Sequence, residues 1–233
     1  MSTILDKIRS RGYWRVVLRP RNFNNLRIQD FSTLYPIIQK TSVQLGGWSF
    51  PFIHPGIEPE RHVDWISQES EWAHYLEAWR FYRSGQFVDY FGVWSDWRNQ
   101  PPSSLSGNTR RGGGSLGIKE TMLRFTQICE FAARLAFTPA GGAQMQLAIA
   151  IRNIRDRRLW ADSPSLYPMI VLPMAGPYTT SLNEFLHKIE VSRSDLVAQP
   201  RQLALEASLQ LFQRFGWNPS IDSLRLLQGE IRP

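Results

Sequence analysis

The chain has 233 residues, 42% hydrophobic and 20% charged, with 27 Lys and Arg against 20 Asp and Glu for a formal charge of +7. No apolar run approaches the roughly 18 residues of a membrane-spanning helix, which excludes a helical membrane protein and leaves a chain long enough to bury a core. A single cysteine, Cys129, excludes an internal disulfide; with an N-terminus lacking an apolar signal region, the expectation is a cytoplasmic protein.

Residues 3–11 predict a short basic amphipathic helix with Ile4, Leu5 and Ile8 as its apolar stripe. "YWRVVLR" then alternates, Trp14, Val16 and Leu18 facing one way and Arg15, Val17 and Arg19 the other, which predicts a half-buried strand. "DFSTLYPIIQK" predicts a helix that Pro36 kinks or restarts, and "SVQLGGWSFPFI" a strand broken at Gly46 and Gly47. "HPGIEPERH" is a Pro/Gly-rich loop. Five of the nine tryptophans fall between residues 64 and 97, and Trp65, Trp72 and Trp79 are spaced by seven. That spacing stacks them on one face of a helix at roughly 10 Å intervals, so a helix over about 63–84 is expected, with the tryptophans in the core.

"QFVDYFGVW" follows as an almost wholly apolar strand, expected at the centre of its sheet. Residues 98–115 are the one Gly/Ser/Pro-rich stretch, expected to be a flexible loop. Farther on, "LGIKETMLRFTQICEFAARLAF" predicts a long helix with Leu123, Ile128, Phe131 and Leu135 among its apolar positions. "MQLAIAIRNIRDRRLWA" predicts a strand and a hairpin turning near Arg155–Arg158. "HKIEVSR" is a last strand. Pro200 opens a strong helix that Gly216 stops, and a short final helix pairs with it.

Charge is uneven along the chain. Residues 1–27 carry Lys7, Arg9, Arg11, Arg15, Arg19, Arg21 and Arg27 against Asp6 alone, whereas residues 58–77 are acidic. Arg9, Arg11, Arg15, Arg19, Arg110, Arg111, Arg155, Arg157 and Arg158 are therefore the candidate contacts for an anionic partner, either nucleic acid or protein. The Arg excess over Lys, 23 to 4, also fits a GC-rich genome.

Catalytic motifs are scarce. The glycines of "GNTRRGGGSLGIKET" lack the Lys-Ser or Lys-Thr of a P-loop. Two Glu-x-x-His pairs, Glu71–His74 and Glu184–His187, could with Glu130 and Glu206 be read as a di-metal bundle, but the second pair runs into a strand. The loop histidines His54 and His62, with Glu58 and Glu60 between them, have no structural-zinc spacing. Cys129 lies mid-helix as a small hydrophobe, and there is no nucleophile elbow. No cofactor or metal is expected.

"GYWRVVLRP", "EWAHYLEAWRFYRSGQFVDYFGVWSDWR" and "PRQLALEASLQLFQRFGWNPS" together resemble a family of bacterial proteins of similar length with no assigned activity. The resemblance implies a single-domain bacterial protein and transfers no functional residue. The element order predicts a single α+β domain over 1–233. About five strands form a mixed or antiparallel sheet with helices packed on it and a C-terminal helix pair; a three-layer α/β sandwich is the alternative. Function is expected to be non-enzymatic binding of a macromolecule through the basic patch. The alternative is an enzyme with a site near the 98–115 loop and the acidic Trp-rich segment.

Overall fold

The computed structural model describes residues 3–72, 74–97, 114–166 and 178–232. Helix α1 (Ile4–Arg9) opens with a capping box. The Thr3 hydroxyl accepts from the Asp6 amide at 3.1 Å, and the Asp6 carboxylate accepts from the Thr3 amide at 3.1 Å. Strand β1 (Tyr13–Pro20) buries Trp14, Val16 and Leu18 as its alternation requires. A 3-10 turn at Phe31–Thr33 then leads into α2 (Leu34–Thr41), which places Pro36 in the first helical turn, where its missing N–H costs nothing. Strands β2 (Val43–Leu45) and β3 (Trp48–Phe50) form a hairpin closed by Gly46 and Gly47, whose φ values of 60° and 81° suit glycine.

The segment expected as a Trp-rich helix is instead a β-hairpin. A two-residue strand, β4 (Glu60–Arg61), pairs with β5 (Trp65–Trp72). In turn β5 pairs antiparallel with β6 (Tyr75–Tyr82), the ladder closing at Trp72↔Tyr75. Seven is odd, so in a period-two strand Trp65 turns to the opposite face from Trp72. Only Trp79 is core, at 1% exposure, whereas Trp72 is 59% exposed and Trp65 half-buried. The alternation "YLEAWRFY" carries the strand signal, and the Ala-His between the strands lacks the Asn-Gly signature of a tight turn.

Strand β7 (Phe87–Gly92) is the fourth of seven in the sheet, central as its composition predicts. After β8 (Ser115–Gly117) comes α3 (Ile118–Ala136), which buries Ile128, Phe131 and Leu135 completely and leaves Leu123 half-buried. Residues 98–113 of the expected flexible loop lie outside the described residues, and Ser115 belongs to β8.

Next comes β9 (Gln144–Arg152), but the hairpin expected after it does not form. Strand β10 (Arg158–Trp160) pairs parallel with β8, because both edges of β9 are already taken, by β1 and by β11 (Glu184–Ser192). Helices α4 (Arg193–Ala198), α5 (Pro200–Arg214) and α6 (Ile221–Gly229) complete the chain, Pro200 starting α5 and Gly216 following it at φ 82°.

The main sheet runs β11-β9-β1-β7-β6-β5-β4, antiparallel throughout. The fold is thus a single α+β domain with more strands than the five expected. One face of the sheet packs on α3, where Trp14 stacks on Phe91 at 5.6 Å and meets Phe125 edge-on at 5.2 Å. Phe50 fits among Phe87, Phe91 and Phe131. Among the described residues, α1 covers the opposite, outer face at its β5–β7 end, where Ile4 and Ile8 pack on Leu76, Ala78 and Tyr90. Among the described residues no helix is long and apolar enough to cross a membrane.

Truncating Trp79 to Ala is expected to cost about 3–5 kcal/mol in chemical denaturation, and Trp72 to Ala about 1 kcal/mol or less. Equal losses at the two positions would return the segment to a helical register.

Candidate functional site

The core face of the sheet carries an unexpected polar patch. Pairing of Trp79 with Asp89 and of Glu77 with Phe91 makes Glu77 and Asp89 diagonal neighbours on one face, and they are 1% and 0% exposed. Glu77 accepts from the Phe52 amide at 2.9 Å and from the Tyr75 hydroxyl. Beside it Gln68 accepts from the His54 amide and donates to the Ile57 carbonyl, while the Trp79 indole donates to the Phe52 carbonyl. These side chains replace a missing strand by pinning residues 52–57 to the sheet.

Among the described residues neither Asp89 oxygen meets a partner at ordinary hydrogen-bond geometry; the Tyr90 amide and the Glu77 carboxyl bear on it most directly. A proton on one of the two buried carboxyls would let Asp89 and Glu77 bond each other and relieve the repulsion of like charges at close range. Burial lifts Glu77 to about 7 against the bonds from Tyr75 and Phe52. Burial, then the charge of Glu77, raises Asp89 well above the carboxylate range.

Beside this patch lies a cavity of about 480 Å³ between the first turns of α3, the β2–β3 turn and residues 230–232. Trp48, Tyr75, Trp94 and Leu123 form its walls, and Trp48 stacks on Tyr75 at 5.3 Å. Asp162 caps α3 from a distant loop, accepting from the Lys119 amide at 2.7 Å and the Glu120 amide at 2.8 Å, because the cap residue Gly117 has no side chain. Glu120 and Arg124, one helical turn apart, both line the cavity. Burial lifts the Glu120 carboxyl to about 7 against the pull of Arg124, and burial raises Tyr75 well above 10, so its hydroxyl stays neutral. Neither the patch nor the cavity was anticipated: in the expected helix Glu77 falls on the polar face, opposite Tyr75 and the tryptophans, and Asp89 sits in a strand read as almost wholly apolar.

The basic residues expected to bind a partner divide into two groups. Arg9, Arg15 and Arg19 share the outer face of the sheet, Arg9 resting over the Tyr90 ring at 5.0 Å. Arg11 and Arg157 both converge instead on Asp96. Arg157 is 5% exposed, bonds both Asp96 oxygens and the Asn153 and Ser115 carbonyls, and is fully engaged inside the fold. Arg155 is exposed beyond β9, Arg158 is half-buried on β10, and Arg110 and Arg111 lie outside the described residues.

Register adds two cations that local charge does not reveal. Lys188, Ala148, Val17, Val88 and Arg80 form one row across five strands. Arg15 and Arg19 flank Val17 along β1. The result is an apolar floor of Ala148, Val17 and Val88 ringed by Arg15, Arg19, Arg80 and Lys188. Among the described residues no carboxylate lies within ion-pair distance of these four.

The other motifs acquire ordinary partners. Glu71 pairs with Lys7 at 2.7 Å, Glu184 with Arg152 and Glu130 with Arg201. His187, buried on β11, faces Gln210 at 3.0 Å, and His62 stacks on Trp65. Cys129 is buried, its thiol pushed up to about 12. Among the described residues no three His, Cys, Asp or Glu side chains gather as a metal site needs. Comparison with known protein families, with curated proteins and with solved structures finds nothing that matches this chain.

Because folding raises the Glu77 carboxyl from 4.5 to about 7, the folded state keeps a proton that the unfolded chain has released between those values. Stability contributed by this group is full below about pH 4.5 and lost as pH rises through 7. Glu77→Gln should flatten that decline by on the order of 2–3 kcal/mol in denaturation curves taken from pH 4.5 to 8; an unchanged pH profile would show that Glu77 takes up no proton on folding in that range.

Proposed function

We propose that the protein is a non-enzymatic binding module that docks an anionic macromolecular partner on the outer face of its sheet. The observation that supports this reading is the ring of Arg15, Arg19, Arg80 and Lys188 around Ala148, Val17 and Val88, with no carboxylate of the described residues paired to it. Arg15 and Arg19 stand about 13 Å apart along β1, and Lys188 and Arg80 about 19 Å apart across four strand spacings. Four like charges gathered on one face favour a partner that brings negative charge.

The aliphatic floor narrows the partner further. A nucleic-acid strand would want open aromatic rings on which to stack bases, but on this face Arg9 lies over Tyr90 and Arg80 over Trp65, and Val17, Val88 and Ala148 offer methyl groups. The open strip beside α1 is about two strand spacings, or roughly 10 Å, wide, close to the diameter of a helix. An acidic amphipathic segment of another protein fits both features: apolar side chains on the floor, carboxylates on the ring. On the same face α1 already packs in that manner.

The test uses fluorescence anisotropy with two labelled probes, a Leu/Glu amphipathic helical peptide and a 12-nucleotide oligo(dT). The peptide is expected to bind, and Arg15→Glu with Arg19→Glu to weaken it at least tenfold, with Val17→Asp weakening it comparably. Tighter binding of the oligonucleotide, with affinity falling about 0.7 log units per phosphate per log unit of salt, would reassign the face to single-stranded nucleic acid. Binding of neither probe at low salt would sink the proposal.

A further inference from the structure

The cavity beside α3 has no part in the outer face, and it holds a charge without a counterpart. Arg124 is 4% exposed, yet no carboxylate of the described residues lies within ion-pair distance of it. Its Nη1 donates to the Gln127 side chain at 3.2 Å, its Nε has no acceptor, and its guanidinium rests over the Tyr75 and Phe91 rings at 5.5 and 5.4 Å. A guanidinium has five N–H donors, and leaving a buried charge so poorly bonded is costly. The Glu77–Asp89 pair supplies a compensating field at longer range but no hydrogen bond.

The other charges lining the cavity cancel locally. Lys119 pairs with Glu230 at 2.9 Å, and Asp162 is turned to the Lys119 and Glu120 amides. What remains is Arg124, the exposed Arg232, and Glu120, whose carboxyl takes up a proton near neutrality. Among the described residues Arg124 is thus the lining cation that is both buried and without an ion-pair partner. It suits a monoanion, since a dianion such as phosphate would face Asp162 and an ionising Glu120 at short range. Trp48, Tyr75 and Trp94 make the walls aromatic, and a volume of about 480 Å³ matches small-molecule sites.

We infer that this cavity binds a small planar aromatic carboxylate, its ring against the aromatic wall that Trp48, Tyr75 and Trp94 form and its carboxylate on the Arg124 guanidinium. The fork geometry of Arg accepts a planar carboxylate by two parallel bonds, which gives orientation as well as affinity. Glu120 stands one turn before Arg124 on α3, with Asp162 and Asp96 as its other charged neighbours and the Trp94 backbone bonded to it. Protonated, it leaves the ligand's charge unopposed; ionised, it competes for Arg124.

Calorimetric titration with benzoate, 4-hydroxybenzoate and naphthalene-2-carboxylate, each beside its own carboxamide, tests the assignment. At least one acid is expected to bind with a tenfold or greater preference over its amide. Affinity should fall several-fold from pH 6 to 8, and Glu120→Gln should remove that dependence. Arg124→Gln should erase the preference for the acid. Should that variant fail to fold, Leu123→Trp, which fills the cavity from a half-exposed wall position, should abolish binding while thermal melting reports an intact fold. Three results overturn the inference: none of the acids binding at millimolar concentration, amides binding as well as acids, or Leu123→Trp leaving binding intact.

Discussion

The two-residue period of the β-strand governs nearly everything else in this molecule. Seven antiparallel strands present one set of alternate side chains to α3 and the other set to the outer face. Trp14, Val16 and Leu18 enter the core because Arg15, Val17 and Arg19 leave it. Glu77 and Asp89 are buried for the same reason: they share parity with Trp79, Phe81, Phe87 and Phe91, and no one-residue slip could expose them without exposing those rings.

Burying two carboxyls costs stability, and the fold offsets that cost by giving them tasks. Glu77 holds the Phe52 amide and the Tyr75 hydroxyl, so a segment with no ladder of its own is hydrogen-bonded to the sheet. A proton on either carboxyl removes one of the two charges. Nearby, Asp96 with Arg157 performs the corresponding service at the other end: it joins the start of β1, through the Gly12 amide at 2.8 Å, to the turn after β9 and to β8. In both places side chains supply hydrogen bonds that irregular backbone cannot make for itself.

The two candidate sites use opposite properties of the same sheet and helix. On the outer face Arg19, Arg80 and Lys188 are exposed and Arg15 half-buried, so salt screens them, each contributes modestly and they act as a group. Inside the cavity a single guanidinium is shielded from water, where one bond to an anion counts for far more. The distinction separates the two proposed ligands: an extended partner with distributed charge for the face, one small anion for the cavity.

Local pattern determined much of the architecture. Periodicity placed α1, β1 and α3, because each carries enough apolar side chains at its own period to declare a face; Pro200 and Gly216 bracketed α5, and near-continuous apolarity put β7 at the centre of the sheet. It misassigned residues 63–84, since three indoles at a spacing of seven satisfy a helix and the turn between the strands has no glycine or asparagine to contradict it. Arg15 and Arg19 were legible as outward-facing from β1 alone. Their companions Arg80 and Lys188 lie 61 and 169 residues beyond Arg19 and join them only through cross-strand register. Likewise Arg157 looked like its neighbours until the chain brought Asp96 against it, and Arg124, Glu120 and Tyr75 became a site only when α3 crossed the sheet. Composition and period report what one segment prefers; pairing between distant segments sets which charges are neutralised, which are buried and which are left for a partner.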